Sequence, residues 1–325
     1  MKFQGKSLIR TALMGAIVAT LTAGLAAAQV PAGAKRPAAV PADFLITPFG
    51  YFHPSCVAHL AKGDELLQDE KVIRHANGTS AGMHVCAYPH YEADGLIVTG
   101  DKQVDKQPSI GHSWIEYASV TTPSSYAYLY AEWTVPPTPT SNDGQTVYFF
   151  PGMEDINDVV TIIQPVLGWN SDYASAWGIA SWNCCVTGTV YEAPPQPVHS
   201  GDTILGYMFD TCGAGTKTCS SWDIVTWDLQ SGGFSELLNT SNFSQTFNWA
   251  FAGALEVYNV AQCSDYPSNG GYPGSNAMSF NELGLFNDKF VQIAAPNWKI
   301  SNVSGGLTPQ CGYGGSTPKQ VILTF

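Results

Sequence analysis

Arginine is nearly missing from this chain: three residues in 325, Arg10, Arg36 and Arg74. Past His112 there are four lysines, one histidine and no arginine against seventeen carboxylates, and the formal net charge of the whole is −12. A field of that sign repels phosphate backbones and anionic headgroups, so nucleic-acid or membrane binding by charge is excluded. Carboxylates with few cationic partners also lose little when protonated, so the acid-unfolding contribution is expected to be small. The scarcity of histidine removes further chemistries. Ser-His-Asp and Cys-His enzymes need an imidazole base, and His199, in Pro-Val-His-Ser-Gly-Asp, reads as a surface turn. No H-E-x-x-H run, C-x-x-C pair or G-x-x-x-x-G-K loop occurs, so neither a metal nor a cofactor is expected. If the chain is an enzyme, carboxylates must move the protons.

Long apolar runs are also scarce. The one present, Ala12 to Leu25, follows Lys2, Lys6 and Arg10 and precedes Ala26-Ala27-Ala28, which is the order of a cleavable export signal over residues 1–28. At about 14 residues it is shorter than the roughly 20 of a spanning helix, so a secreted protein with no membrane contact after cleavage is expected. Export makes the eight cysteines candidates for disulfides. Cys212 and Cys219 are expected to staple one loop and Cys56 and Cys86 another; Cys184 and Cys185 are adjacent, and the remaining pairing is open.

Three segments follow. Residues 29–108 form an N-terminal unit: an Ala/Pro lead-in, a polar and helix-compatible stretch from Val57 to Glu70, and a Pro-terminated linker, Asp101 to Pro108, where cleavage is plausible. Residues 109–325 have another texture. Tyr126 to Val135, Thr146 to Phe150, Val159 to Leu167, Ala176 to Trp182, Thr203 to Phe209, Trp222 to Leu229, Thr246 to Tyr258 and Gln320 to Phe325 are predicted strands, rich in aromatic and β-branched residues and separated by turn formers. The fold class expected is all-β, an antiparallel β-sandwich of the concanavalin or jelly-roll kind.

Two polar residues interrupt apolar strands. Gln164 shares a strand face with Ile162 and Val166, and Glu256 one with Ala252, Ala254 and Tyr258. A carboxylate on a partly apolar face has a raised pKa, which suits acid-base work; the plainer alternative is a half-solvated strand. Glu154 and Asp155 precede the Gln164 strand, where a cleft residue and a solvated loop are the two readings. Trp169, Trp177 and Trp182 are candidates either for a peptide groove or for the core. Tyr126, Tyr128 and Tyr130 share one strand face with Glu132.

Trp133-Thr134-Val135-Pro136-Pro137-Thr138-Pro139, then Ile162-Ile163-Gln164-Pro165, then Glu256 and Phe280-Asn281-Glu282-Leu283-Gly284, resemble in order and spacing the eqolisin family of glutamic peptidases. The family's glutamate is usually followed by tryptophan and a second acidic residue, where this chain has Val257, Tyr258 and Asn259. The leading region, with Tyr51-Phe52-His53-Pro54-Ser55-Cys56 and Cys86, looks like that of the neprosin-type glutamic peptidases. The resemblance implies a secreted acid endopeptidase acting on proteins or peptides. In it Glu256 would be the general base and later the acid, and Gln164 the amide that stabilises the oxyanion. Beside the resemblance, Glu154, Trp169 and Trp182 are the candidate substrate-binding residues by their place in the sequence, no metal is expected, and residues 29 to about 108 are expected to be a propeptide removed near the linker. A monomer is expected. The rival reading is a carbohydrate-active or carbohydrate-binding sandwich, for which Glu154-Asp155-Ile156-Asn157-Asp158 is a poor catalytic signature.

Overall fold

The structure, a computed structural model, describes residues 36–67, 71–98, 113–157, 161–185, 188–267, 276–302, 314–316 and 320–325. The expected export signal over residues 1–28 and the expected linker from Asp101 to Pro108 lie outside them. No α-helix occurs among the described residues.

Eight short strands come from the N-terminal unit: β1 (Leu45–Thr47), β2 (Gly50–Phe52), β3 (Val57–His59), β4 (Glu65–Leu67), β5 (Val72–Arg74), β6 (Ser80–Gly82), β7 (His90–Tyr91) and β8 (Ile97–Val98). The remainder supplies β9 (Trp114–Thr121), β10 (Tyr126–Thr134), β11 (Thr146–Glu154), β12 (Ile162–Trp169), β13 (Trp177–Cys184), β14 (Val190–Glu192), β15 (Gln196–Val198), β16 (Thr203–Asp210), β17 (Ser221–Asp228), β18 (Phe234–Ser241), β19 (Trp249–Tyr258), β20 (Ala277–Asn287), β21 (Lys299–Asn302), β22 (Gly314–Ser316) and β23 (Val321–Thr324).

These strands form an all-β sandwich. One sheet, called the site sheet below, runs β21-β9-β19-β11-β12-β13-β14-β3 with β15 also paired to β13; the second runs β22-β23-β20-β10-β16-β17-β18-β4-β5-β6; and a small separate sheet runs β1-β2-β7-β8. Pairing is antiparallel except at two places, β14 with β3 and β18 with β4. Both exceptions are where the N-terminal unit joins: β3 extends the site sheet, β4-β5-β6 extend the other sheet, and β1, β2, β7 and β8 form the small third sheet. The described part of the Val57 to Glu70 stretch, residues 57–67, accordingly holds two strands and not a helix. Its backbone groups find partners on β14 and β18, and Asp64 turns the chain between them by accepting the Ala61 N–H at 3.0 Å.

Strand alternation sorts side chains into two cores. Between the sheets lie Leu129, Trp133, Phe149, Ile163, Leu167, Trp169, Trp177, Leu255 and Val257. On the outer face of the site sheet lie Trp114, Tyr148, Phe150, Val166, Trp182, Phe251, Ala254 and Tyr258, covered by Val40, Phe44, Tyr51, Phe52 and Tyr91 of the N-terminal unit. That second core makes Thr146–Glu154 buried along its whole length, longer than the predicted Thr146 to Phe150.

Two bulges correct the expected faces. On β19 the register passes from Ala254 opposite Phe150 to Phe251 opposite Gly152, so one extra residue is accommodated and Ala252 turns inward while Phe251 takes the outer face with Glu256. On β10 a register shift between Tyr126 and Tyr128 sends Tyr126 into the core, away from Tyr128 and Tyr130. Gly253, at the first bulge, is where the Phe280 ring closes in: a Cβ there would lie 2.4 Å from ring atoms. Gly253→Ala should therefore cost about 1–3 kcal/mol by overpacking, seen as a lower midpoint in thermal unfolding.

Candidate active site

Gln164, Glu154 and Glu256 all lie on the outer face of the site sheet and are almost fully buried, at 0%, 2% and 1% exposure. Gln164 lies opposite Trp182 on β13. Toward β11, the pairs Phe149–Leu167 and Met153–Ile163 set Gly152 beside Gln164, and a Cβ on Gly152 would touch Gln164 Cγ at 3.4 Å. The Gln164 side chain therefore leans over a glycine, toward β11. Its amide nitrogen and oxygen are both buried with no hydrogen-bond partner. Such groups cost on the order of 1–3 kcal/mol each, which a fold retains at a place where something else is bound.

Glu154 is the last residue of β11 and pairs with Trp249 of β19. It is two residues beyond Gly152 on the same face. The solvated-loop reading of Glu154 is thus wrong: burial pushes its carboxyl up to about 8, and its Oε2 has no partner. Asp155, next along, does turn work, accepting the N–H groups of Asn157 and Thr246.

Glu256 has a different setting. Ser113 Oγ donates to Oε1 and Trp114 Nε1 to Oε2, each at 3.0 Å, and the Tyr258 hydroxyl donates to Oε1. Burial raises its pKa well above the ordinary value against these three donors, and the carboxylate of Glu92, from the N-terminal unit, raises it further. In register Glu256 is level with Tyr148, four residues along from Gly152, and Gln164 is one strand further across. At about 3.3 Å per residue and about 4.8 Å per strand the two Cα atoms are about 16 Å apart. Ser113 and Trp114 belong to the β9 side, so they also draw the carboxylate away from β12. Gln164 and Glu256 share the outer face of the sheet at that separation.

Trp182 is on the outer face, with the Phe49 ring of the N-terminal unit 6.1 Å away. Trp169 is not: it packs between the sheets, 5.4 Å from Trp177, and cannot touch a ligand on the outer face. A residue the sequence reading passed over is Glu192 on β14, across β13 from Gln164 through the Trp182–Glu192 pair. Burial lifts it to about 7, offset by a hydrogen bond with Asp172, and His59 Nδ1 of β3 lies 2.8 Å from its Oε2. Its signal in the sequence, Val190-Tyr191-Glu192, is an acid in an apolar run like that of Glu256.

The β1–β2 hairpin lies over this face. Thr47 Oγ1 accepts the Phe49 N–H and donates to the Gly50 carbonyl, holding the turn. Gly50 adopts φ +119°, and a Cβ there would strike the Tyr91 carbonyl at 2.4 Å, so the turn needs glycine. Tyr51 donates to Asn259 Oδ1 at 2.8 Å and packs edge-on to Tyr258 at 5.3 Å. The Tyr148 hydroxyl is 3.3 Å from the Ile46 carbonyl. Cys56–Cys86 and Cys212–Cys219 are bonded, as expected, and Cys184 is joined to Cys185. The first of these closes wholly within the N-terminal unit.

The buried carboxyls set the sign of the pH dependence. Glu116, lodged between the sheets beside the Thr324 N–H, is pushed by burial up to about 9; with Glu154 and Glu192 it holds a proton at pH values where the unfolded chain has released its own. The resulting stabilisation is fully present below the ordinary value of 4.5 and is lost as pH rises through about 7, 8 and 9 in turn. Acid therefore adds to stability rather than merely sparing it. Thermal unfolding should show a midpoint higher at pH 4 than at pH 8, by at least about 5 °C.

No protein-family model and no curated protein matches the chain. Among solved structures it is similar to scytalido-glutamic peptidase bound to a peptide-based transition-state analogue, at 17% identity and a TM-score of 0.46, over 66% of this chain and 98% of that one. It is also similar to SCP-B, a member of the eqolisin family of peptidases, in complex with the tripeptide Ala-Ile-His, at 17% identity and a TM-score of 0.45 over the same shares. A toad ovary galectin with thio-digalactose matches at 10% identity and a TM-score of 0.26, over 45% of this chain and 92% of that one.

Proposed function

We propose that this chain is the precursor of a secreted acid endopeptidase that hydrolyses peptide bonds on the outer face of the site sheet, using a glutamate as general base and Gln164 as the amide donor to the oxyanion. The observation that carries the reading is Gln164 itself: a buried amide with neither atom partnered, on an aromatic sheet face covered by a hairpin of the chain's own N-terminal unit. A carboxylate takes a proton from water as the water oxygen bonds to the carbonyl carbon, and the amide N–H meets the charge that develops on the carbonyl oxygen. The same carboxyl then returns the proton to the amine as the C–N bond breaks. Two residues compete for the base's role, Glu256 by sequence motif and Glu154 by register.

The N-terminal unit, residues 29 to about 108, is in this proposal a propeptide. Its hairpin occupies the ground a substrate would cover, and Phe49 lies against Trp182, a residue well placed to contact a substrate side chain. The mature enzyme works as a monomer outside the cell, with no metal or cofactor. The exported protein should degrade a denatured protein at about pH 3–4, with pepstatin present to silence any aspartic peptidase. No cleavage under these conditions, after the N-terminal unit has been removed, overturns the reading.

A further inference from the structure

We propose that Glu154, not Glu256, is the carboxylate that shares the attacking water with Gln164; the inference rests on the peptidase reading above. Three buried polar atoms without partners lie together on the outer face: both amide atoms of Gln164 and Oε2 of Glu154. Between their strands, Gln164 is beside Gly152 and Glu154 is the next outward-facing residue of β11, so the pair is a diagonal cross-strand neighbour with Cα atoms about 7–8 Å apart. The Gln164 amide and Glu154 Oε2 do not bond each other directly, and one water hydrogen-bonded to both would join them. Gly152 contributes by omission, since any side chain there would meet Gln164 Cγ, Ile162 and the Ile163 carbonyl. Glu256 lies about 16 Å from Gln164 and already has three donors of its own.

In the step itself, Glu154 removes one proton from water while the water oxygen bonds to the scissile carbonyl carbon. The carbonyl π electrons move to the oxygen, which accepts the Gln164 N–H. Collapse of the tetrahedral species breaks the C–N bond, and Glu154 returns the proton to the leaving nitrogen, so a carboxylic acid and an amine leave and the enzyme is unchanged. Burial keeps the Glu154 carboxyl protonated up to about 8, so it acts as a base in acid only once water and substrate reach it.

The test compares Glu154→Gln and Glu256→Gln in the full chain after its N-terminal unit has been cut off, with circular dichroism confirming the fold. Glu154→Gln should lower kcat by 10³-fold or more with KM changed less than threefold, and Glu256→Gln should keep kcat within tenfold of the parent. Glu154→Gln with kcat within tenfold of the parent, or Glu256→Gln as the variant that is dead, overturns the inference. A second readout needs no activity. In the intact chain, carbon-13 labelling of glutamate follows the Glu154 carboxyl on titration, and Gln164→Leu should move that titration upward by at least about 0.5 unit, because the charged form loses the water donor that the Gln164 amide orients toward it. An identical titration in both chains separates Glu154 from Gln164 and overturns the pairing even if the protein proves not to be a peptidase. An inactive parent chain with coupled titration overturns the peptidase reading and leaves the pair itself standing.

Discussion

A single cut in the chain between Val98 and Ser113, followed by transfer to pH 4, should raise hydrolysis of an unfolded protein by about 10²-fold. That factor is the ratio between the millimolar effective concentration of a tethered segment and the roughly 10 μM at which the two pieces would be handled. After the cut nothing covalent among the described residues holds the N-terminal unit, since Cys56 and Cys86 are bonded to each other. What remains is the apolar cover and the strand pairings of β3 with β14 and of β4 with β18.

Acid acts on these attachments and on the sandwich with opposite sign. His90 is stacked on Phe52 at 4.5 Å, and burial lowers its pKa from 6.5 to about 4. The stability that a buried neutral histidine contributes is present above 6.5 and is lost as pH falls toward about 4. The carboxyls of the sandwich meanwhile gain. Lowering the pH therefore loosens the cover and tightens what it covers. A cut chain with no gain in activity at pH 4, measured against the intact chain, would show that the hairpin is not the block.

Gln164→Ala should reduce kcat by about 10²- to 10³-fold, the usual effect of removing one oxyanion donor. Its effect on stability should go the other way or stay near zero. The wild-type amide is buried with no partner, so deleting it removes an unsatisfied donor and acceptor at the expense of a small cavity. A catalytic residue of this kind is recognised by that combination: a lost rate with a preserved or raised unfolding midpoint. A residue that only supports the sheet would lose both. The check is a steady-state kinetic measurement on the cut chain beside a melting curve of the same sample. A large fall in the midpoint would return Gln164 to the role of a packing residue.

The sandwich was legible in the sequence because alternation is local. Each of Gln164, Ile162 and Val166 reveals its face from its own neighbours, and the eight predicted strands are all present, shifted by a few residues at their ends. What was illegible depends on partners far away in the chain. Ala252 was expected beside Glu256, but the bulge that turns it inward is a property of how β19 fits β11. Trp169 and Trp182 look alike in sequence, and only the parity of their strands separates core from site. Glu154 reads as a loop because Pro151, Gly152 and Asp155 surround it; it is a strand because β19 pairs with it. The Val57 to Glu70 stretch has helix-compatible composition, yet its hydrogen-bond partners on β14 and β18 lie more than a hundred residues away. The separation of Gln164 from Glu256 is of the same kind, since motif order says nothing about register.

Substrate is expected on the outer face of the site sheet, on ground the N-terminal hairpin covers. The most direct measurement is photo-crosslinking of the cut chain at pH 4 with an unstructured peptide that carries a photoreactive phenylalanine, followed by mass-spectrometric mapping of the adduct. Labelling is predicted on β11, β12 and β13, at outward residues such as Trp182, and it should vanish in the intact chain. Equal labelling of intact and cut chains, or adducts confined to the other sheet, would contradict the account.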